Sequence, residues 1–139
     1  MNNTLCQTAD LSDISNICNF VTETAEAMGS DPEAAGEIVV ALHEGISNTI
    51  IHGYKRQPGT IEIEVKRQSD DLLVYLRDEA PLFDPLTVPT PDISLPLEQR
   101  AYGGMGIHMM RNFTDELHYQ ITDSGQNELV LVKKAAFKQ

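Results

Sequence analysis

The sequence predicts an α+β fold that combines helices with pairs of strands. Three observations predict it: helical periodicity over residues 11–52, a pair of alternating strands over residues 60–77, and a hairpin over residues 117–133. With 139 residues, the chain fits one domain, 1–139, that is long enough to bury a core without disulfides or structural metal.

Two apolar patterns predict helices in the first part of the chain. From Leu11 to Met28, apolar residues recur at intervals of three and four, and Gly29 then predicts the end of that helix. Ser30-Asp-Pro-Glu33 has the pattern of a capping box with proline in the first turn. It predicts a second helix from this point to about His52, where Gly53 ends it. A short strand around residues 4–8 precedes both helices.

Alternation of apolar and charged residues predicts the strands. Residues 60–66 place three aliphatic side chains on one face and three charged ones on the other, and residues 72–77 form the partner strand after a turn at 69–71. That second strand delivers Asp78 at its carboxyl end. Residues 106–116 predict a third helix, and residues 117–122 and 128–133 predict the final hairpin.

Charge and composition limit the classes of partner. Ten Lys and Arg against twenty-one Asp and Glu give a formal net charge of -11, which disfavours nucleic acid and anionic membrane surfaces. A mononucleotide can still bind, because backbone amides and a divalent ion neutralise phosphate locally. Cys6 and Cys18 lack zinc-ligand spacing and are expected as buried free thiols. Without a secretory or membrane segment, we expect a cytoplasmic protein.

The segment from Glu79 to Tyr102 contains five of the seven prolines and predicts a long loop. Loops of this length within a compact domain are usually lids, binding loops or disordered spans. This one directly precedes Gly103-Gly-Met-Gly106, which opens the third helix and would offer bare backbone amides to phosphate.

Glu44 and Asn48 are the most informative polar residues of the second helix. They are four residues apart, so they project from one face, although that helix is apolar nearly all round. A carboxylate on a buried helix must be paired or face a polar cavity, because unpaired burial costs several kcal/mol. Alternatives to a catalytic role are a hydrogen bond to Asn48 or a salt bridge to Lys55 or Arg67.

The order of these parts resembles the Bergerat-fold (GHKL) ATPase superfamily, and within it the small anti-sigma factor serine/threonine kinases. The resemblance spans nearly the whole chain. Residues 38–53, with E-x-x-x-N-x-x-x-H, resemble the first box of that family; residues 78–85 resemble the second and residues 103–115 the third. The resemblance implies a two-layer Bergerat-type sandwich, in which a mixed, largely antiparallel sheet carries helices on one face, and it implies binding of ATP and Mg²⁺.

The resemblance also implies roles for individual residues. Asn48 would ligate Mg²⁺ and contact the nucleotide, and Glu44 would be the general base that accepts a proton from the attacking hydroxyl. Asp78 would accept a hydrogen bond from the adenine amine. The phosphates would lie against the backbone at a group of three glycines, namely Gly103, Gly104 and Gly106. Asp78 could instead only cap a turn, and the glycines could only allow tight packing.

Two further residues could contact phosphate. His52 lies two turns beyond Glu44 on the same face, where the helix dipole could equally explain it, and Arg100 precedes the glycines in the loop. The sequence departs from the superfamily pattern at Ala80 and Leu82, where glycines are expected. A second departure is Asn127-Glu128, where many relatives have Gly-Thr beside the adenine.

The function implied by the resemblance is that of an anti-sigma factor and ATP-dependent kinase. Its partners would be an RNA polymerase sigma factor, which it holds inactive, and an anti-sigma factor antagonist protein, which it phosphorylates on serine or threonine. Phosphorylation would release the antagonist by adding charge at an interface. Such domains are often homodimers. The alternative is a non-catalytic sequestering module of the same fold, with ATP structural or absent.

Overall fold

The computed structural model describes residues 3–87 and 104–137 of the chain. Five strands and three helices of more than one turn lie within these residues. They are β1 (Thr4–Thr8), α1 (Ile14–Met28), α2 (Pro32–Asn48), β2 (Thr60–Gln68), β3 (Asp71–Asp78), α3 (Gly104–Asn112), β4 (Glu116–Ile121) and β5 (Asn127–Lys133).

The five strands form one sheet in the order β1-β2-β3-β5-β4. The predicted α+β class is confirmed, but the expectation of a mixed sheet is not met, because all four neighbouring pairs of the described strands are antiparallel. The final strand therefore inserts between β3 and β4. This insertion places Asn127 opposite Asp78, and Glu128 opposite Arg77, on neighbouring strands.

The main core lies between α1, α2, α3 and one face of the sheet. Its residues on β2 alternate with charged ones, as the period-two pattern predicts, whereas on β3 and β5 they alternate with residues of which several are also apolar. The helix residues of the core recur at intervals of three and four. Full burial of each aliphatic side chain contributes about 1.5–3 kcal/mol to folding. The largest fully buried members are Ile17, Ile38, Leu42, Ile46, Ile50, Ile61, Ile63, Leu72, Leu76, Met110 and Leu131.

A smaller apolar cluster lies on the opposite face of the sheet. Leu73, Val130 and Val132 form it, and Tyr75 packs against them. Beside it, the guanidinium of Arg77 forms ion pairs with three carboxylates, those of Glu62, Glu64 and Glu128. Burial opposes the charge on Arg77, but its hydrogen bonds to Glu128, Glu64 and Glu62 outweigh that effect and raise the pKa of Arg77.

The second helix begins one residue later than the capping-box prediction places it. Asp31 is the N-cap, because its carboxylate accepts a hydrogen bond of 3.1 Å from the Ala34 amide, whereas the Ser30 hydroxyl donates to the Asp31 carbonyl. At its other end, regular α-helix stops at Asn48. Residues Thr49–Gly53 continue the winding as a π-helical turn, so the helical path does extend to Gly53 as predicted.

The third helix ends at Asn112, four residues earlier than predicted. The Thr114 hydroxyl donates to the carbonyl of Met110 at 2.7 Å, and the Asp115 amide donates to the carbonyl of Val132. Hydrogen bonding to the final strand therefore keeps Asp115 out of the helix, although the apolar pattern of this segment is helical. The first helix ends at Gly29 as predicted, since that residue has a left-handed backbone with φ 102°.

The prediction of two buried cysteines is wrong for Cys6 and only partly met by Cys18. Both thiols are free, but Cys6 is exposed and Cys18 is half-buried. Cys6 is paired with Glu62 on an outer strand of the sheet, and this register gives it the face opposite to the main core. Within the described residues, no helix is long and apolar enough to cross a membrane.

Candidate functional site

Glu44 and Asn48 converge on the first turn of α3. A β-carbon added at Gly106 would lie 3.4 Å from Glu44 Oε2, 3.4 Å from Asn48 Nδ2 and 3.5 Å from Asn48 Oδ1. Both polar side chains are half-buried, so they are neither sealed in the core nor fully in solvent. The carboxylate and the carboxamide therefore share a small polar space against a glycine backbone.

Local structure explains this convergence. A spacing of four residues puts the two side chains on one face of α2, and that face packs against α3. Because α3 begins at Gly104, its first-turn amides have no partner within the helix and carry the partial positive charge of the helix dipole. Oxygen ligands for a hard cation and donors for an anion thus meet at one place.

The alternative partners suggested for Glu44 do not hold it. Among the described residues, the Glu44 carboxylate forms no ion pair, and it accepts no hydrogen bond from Asn48. Arg67 instead lies 3.7 Å from Asp70 and stacks over the ring of Phe137 at 4.5 Å. The Glu44 carboxylate therefore lies in the polar space near Gly106.

A cavity of about 460 Å³ adjoins this polar space. It is large enough for a drug-sized ligand, since such pockets usually measure roughly 300–1,000 Å³. Apolar side chains make most of its wall, and a few polar groups face it from α2, from the π-helical turn and from the ends of β3 and β5. The polar lining residues are Asn48, Thr49, His52, Lys55, Asp78, Tyr119 and Asn127, and the apolar ones include Leu76, Phe83, Ile107, Met110 and Leu129.

Asp78 lies in the wall of the cavity and is only 7% exposed. Its Oδ1 accepts hydrogen bonds from the Ala80 amide at 3.0 Å and from Asn127 Nδ2 at 2.9 Å, and its Oδ2 accepts from the Thr49 hydroxyl at 3.3 Å. The turn-capping contact considered as an alternative is therefore present, through Ala80. Oδ2 nevertheless retains a lone pair for a ligand, since one oxygen of a carboxylate can accept two hydrogen bonds.

Asn127 is a site residue, although in the sequence it stands out only as a departure from the family pattern. It is the first residue of β5 and not part of the preceding turn, and it is 8% exposed. Its carboxamide bonds to Asp78 and also to the backbone of residues 80–83. No local pattern signals this role, because it depends on β5 pairing with β3.

Tyr119, on β4, closes another side of the cavity. Its hydroxyl donates to Asn127 Oδ1. Burial raises the pKa of Tyr119, the negative charges of Asp84 and Asp78 raise it further, and a hydrogen bond with the Phe83 backbone opposes the shift. The phenol therefore stays protonated and acts as a donor at neutral pH.

The glycine missing from the second box is compensated in the packing. Ala80 is 6% exposed, and its β-carbon lies 3.0 Å from where a β-carbon of Gly53 would be. Gly53 thus provides the room that the methyl group of Ala80 occupies. Leu82, at the other expected glycine, is 55% exposed and has room for its side chain.

Tyr54 connects the end of the helical path to the sheet, a role that was not predicted from the sequence. Its hydroxyl donates to the Thr60 carbonyl at 2.7 Å and accepts from the Glu79 amide at 2.8 Å. A β-carbon at Gly59 would lie 2.3 Å from its ring, so only glycine fits there. This contact holds the residue after Asp78 in place.

The remaining predicted residues have different positions. His52 is exposed and lines the cavity, and Gly104 is the first residue of α3. Arg100 and Gly103 lie outside the described residues. Within the described part of the chain, no group of three or more His, Cys, Asp or Glu side chains could hold a metal ion.

The fold and the cavity define a class of protein. An antiparallel sheet covered by helices, with a carboxylate and a carboxamide facing a glycine helix start, is the arrangement that the sequence resemblance implied. A family model described as "Histidine kinase-like ATPase domain" matches residues 7–133, so the chain belongs to this family. Its membership supports ATP binding.

Curated relatives are similar over most of the chain. The Anti-sigma F factor of Clostridium novyi is 27% identical over 110 residues, covering 73% of this chain and 72% of the relative. Serine/threonine-protein kinase BtrW of Bordetella bronchiseptica is 25% identical over 100 residues, covering 71% and 70%. Serine-protein kinase RsbW of Bacillus licheniformis is 29% identical over 109 residues, covering 73% and 66%.

A solved structure supports the fold. The crystal structure of the RsbU and RsbW domains of a Mycobacterium tuberculosis protein matches with a TM-score of 0.62 at 16% identity. The match covers 96% of this chain and 32% of that longer chain. The Bergerat-type α+β architecture expected from the sequence is thereby confirmed.

Proposed function

We propose that this chain is an anti-sigma factor and an ATP-dependent serine/threonine protein kinase. The observation that carries the proposal is the convergence of Glu44 and Asn48 on Gly106, beside a cavity with Asp78 in its wall. Relatives named as anti-sigma factors and as serine kinases support both halves of the function.

Asn48 would hold Mg²⁺ through its side-chain oxygen. A carboxamide oxygen is a hard neutral donor, and it suits an ion whose other ligands are phosphate oxygens and water. When bound, Mg²⁺ would neutralise charge that develops on the transferred phosphoryl group. The glycine at 106 supports this assignment, because it leaves open the space that a side chain would fill.

Glu44 would act as the general base for the attacking serine or threonine hydroxyl. Its carboxylate lies about one helical turn from the Asn48 carboxamide that would hold the metal. Because the Glu44 side chain is half-buried, a substrate hydroxyl can still reach it. General-base catalysis typically contributes about 10²–10⁴-fold to a rate. The side chain is thus assigned to phosphoryl transfer and not to nucleotide affinity.

The nucleotide would lie along the cavity. Asp78 would accept a hydrogen bond from the exocyclic amine of adenine, and the backbone at Gly103, Gly104 and Gly106 would face the phosphates. His52 and Arg100 are proposed as phosphate contacts, with His52 already at the cavity edge. The partners would be a sigma factor and the antagonist that becomes phosphorylated, and the active form would be a homodimer.

Phosphoryl transfer to a candidate antagonist tests the enzyme assignment. With γ-labelled ATP, the Glu44→Gln variant should lose about 10²–10⁴-fold in labelling rate while its ATP affinity changes little. Glu23→Gln, which changes an exposed carboxylate on α1, is the matched control and should label at the native rate. Labelling that persists in Glu44→Gln would refute the catalytic role.

Magnesium dependence tests the other half of the site. By calorimetry, Asn48→Ala should lose the increase in ATP affinity that Mg²⁺ produces, with the circular dichroism of the fold retained. An unchanged Mg²⁺ effect would rule out Asn48 as the ligand. A native protein that binds ATP and a sigma factor, yet labels no antagonist, would instead support the sequestering module.

A further inference from the structure

Asn127 occupies the most densely hydrogen-bonded position of the cavity wall. It is 8% exposed and lies opposite Asp78 in the register of β3 and β5. A buried carboxamide is costly unless its donors and acceptor are satisfied, because each unsatisfied group carries a desolvation penalty. The hydrogen-bond partners of the Asn127 side chain therefore indicate which parts of the cavity wall it holds in place.

Those contacts saturate the carboxamide. Its Nδ2 lies 2.9 Å from Asp78 Oδ1, 3.0 Å from the Ala80 carbonyl and 3.3 Å from the Pro81 carbonyl. Its Oδ1 accepts from the Phe83 amide at 3.1 Å and from the hydroxyl of Tyr119. One side chain thus joins three structural parts: the end of β3, the segment of residues 80–83, and β4.

The same contacts decide which oxygen of Asp78 is free. Oδ1 takes two hydrogen bonds, from Asn127 and from the Ala80 amide, so its lone pairs are occupied. Oδ2 takes one, from Thr49, at the longer distance of 3.3 Å. A ligand amine in the cavity would therefore meet Oδ2.

We propose that Asn127 is a positioning residue for base recognition: it orients the Asp78 carboxylate so that Oδ2 faces the base, and it holds the cavity wall at residues 80–83. The inference rests on the proposed function, in which Asp78 reads adenine. It adds a residue that carries the selectivity for ATP over GTP without itself touching the base.

The Asn127→Asp substitution tests this role with almost no change in shape. It replaces the donor Nδ2 by a carboxylate oxygen about 3 Å from Asp78, and two such carboxylates cannot both be charged without strong repulsion. At low pH the pair shares one proton, which restores a donor between the two groups. As pH rises, that proton is lost and Asp78 should lose its orientation.

Other charged groups near the pair must be considered in this titration. Asp84 and the Tyr119 phenol face it from the adjoining segment and from β4, while His52 and Lys55 line the same cavity from the helical end. These four groups are present in the native protein and in every variant. A pH effect that appears only in Asn127→Asp therefore belongs to the new carboxylate pair.

The experiment measures ATP and GTP affinity by calorimetry from about pH 5 to pH 8. Asn127→Asp should bind ATP about tenfold or more weakly at the alkaline end than at the acid end, with the preference over GTP falling in parallel. Asn127→Ala should show the weakened preference at every pH. The control Asn19→Asp, on the exposed surface of α1, should follow the native protein throughout.

Circular dichroism at each pH verifies that a variant is folded, and Asn127→Ala carries the same test if Asn127→Asp unfolds. Folded variants that keep the native preference for ATP over GTP at every pH would overturn the role of Asn127 and leave the proposed function intact. A native protein that binds ATP and GTP equally, or neither, would overturn both.

Discussion

Gly106 offers a perturbation with opposite effects on stability and on ligand binding. The Gly106→Ala variant places a methyl carbon 3.4 Å from Glu44 Oε2 and 3.4–3.5 Å from the two terminal atoms of Asn48. These separations are ordinary van der Waals contacts, so the folded chain accommodates the methyl group without rearrangement. The methyl group nevertheless fills the space between the carboxylate and the carboxamide.

The two effects can be estimated separately. Replacing glycine by alanine inside a helix stabilises it by about 0.5–1 kcal/mol, and we expect a gain of this size or somewhat less near the helix start. A Mg²⁺ ion would lie about 2.1 Å from its oxygen ligands, and its water or phosphate ligands need contact distances of about 3.5 Å from carbon. The methyl group denies them that room, and we expect MgATP affinity to fall about 10–100-fold, or about 1.4–2.7 kcal/mol.

Urea denaturation measures the first effect, and calorimetry with MgATP measures the second. Gly36→Ala is the matched control, because a β-carbon at this exposed position of α2 would meet no atom within 4 Å. It should give a similar gain in the free energy of unfolding and leave nucleotide affinity unchanged. A Gly106→Ala protein that is more stable and still binds MgATP with native affinity would refute the proposed placement of the metal and phosphates.

Three further predictions concern packing, charge and thiol reactivity. Gly53→Ala should lower the free energy of unfolding by about 1–2 kcal/mol, because its methyl group would crowd that of Ala80. Adding Ala80→Gly to the same chain should recover part of this loss. If urea denaturation shows that the two losses simply add, the two positions are not in contact. Arg77→Gln removes the cation that three carboxylates share, although Glu64 keeps a second partner, Lys66, at 3.7 Å. The free energy of unfolding should fall by about 2–4 kcal/mol in urea denaturation, and an unchanged value would contradict the stabilising role of this guanidinium. Burial raises the pKa of Cys18, which lowers its thiolate fraction at any given pH. A disulfide reagent should therefore modify the exposed Cys6 first and Cys18 slowly, and the reaction of Cys18 should become faster as the pH rises. Equal rates for the two thiols would be inconsistent with their different exposure.

Elements with strong local signals could be predicted from sequence almost to the residue. The end of α1 at Gly29 follows from a glycine that adopts φ 102°, and β2 follows from strict alternation. The N-cap of α2 was misplaced by one residue, because Ser30 and Asp31 are both good caps and only the hydrogen bond to Ala34 decides between them. The end of α3 was misplaced because pairing of Asp115 with β5 overrides helical periodicity.

The candidate site likewise contains residues that could be predicted from the sequence and residues that could not. Glu44 and Asn48 could be selected from sequence because their spacing puts both on one face of a helix, and a helix that starts with glycines is itself a local pattern. Their contact with Gly106 needed the packing of α2 against α3. Asn127 and the complementarity of Gly53 with Ala80 had no local signal, since each depends on residues far apart in the chain. Tyr54 contacts the nearby residues Gly59 and Thr60, but its hydrogen bond with the Glu79 amide requires the folded sheet.

By itself, the amino-acid sequence determined the α+β class, the helix face that carries Glu44 and Asn48, and the strand end that carries Asp78, because periodicity and turn chemistry act over a few residues. Only the tertiary structure decided that β5 inserts between β3 and β4 and brings Asn127 to Asp78. The physical reason is that strand order and register are set by which apolar faces can be buried together, and that choice involves the whole chain.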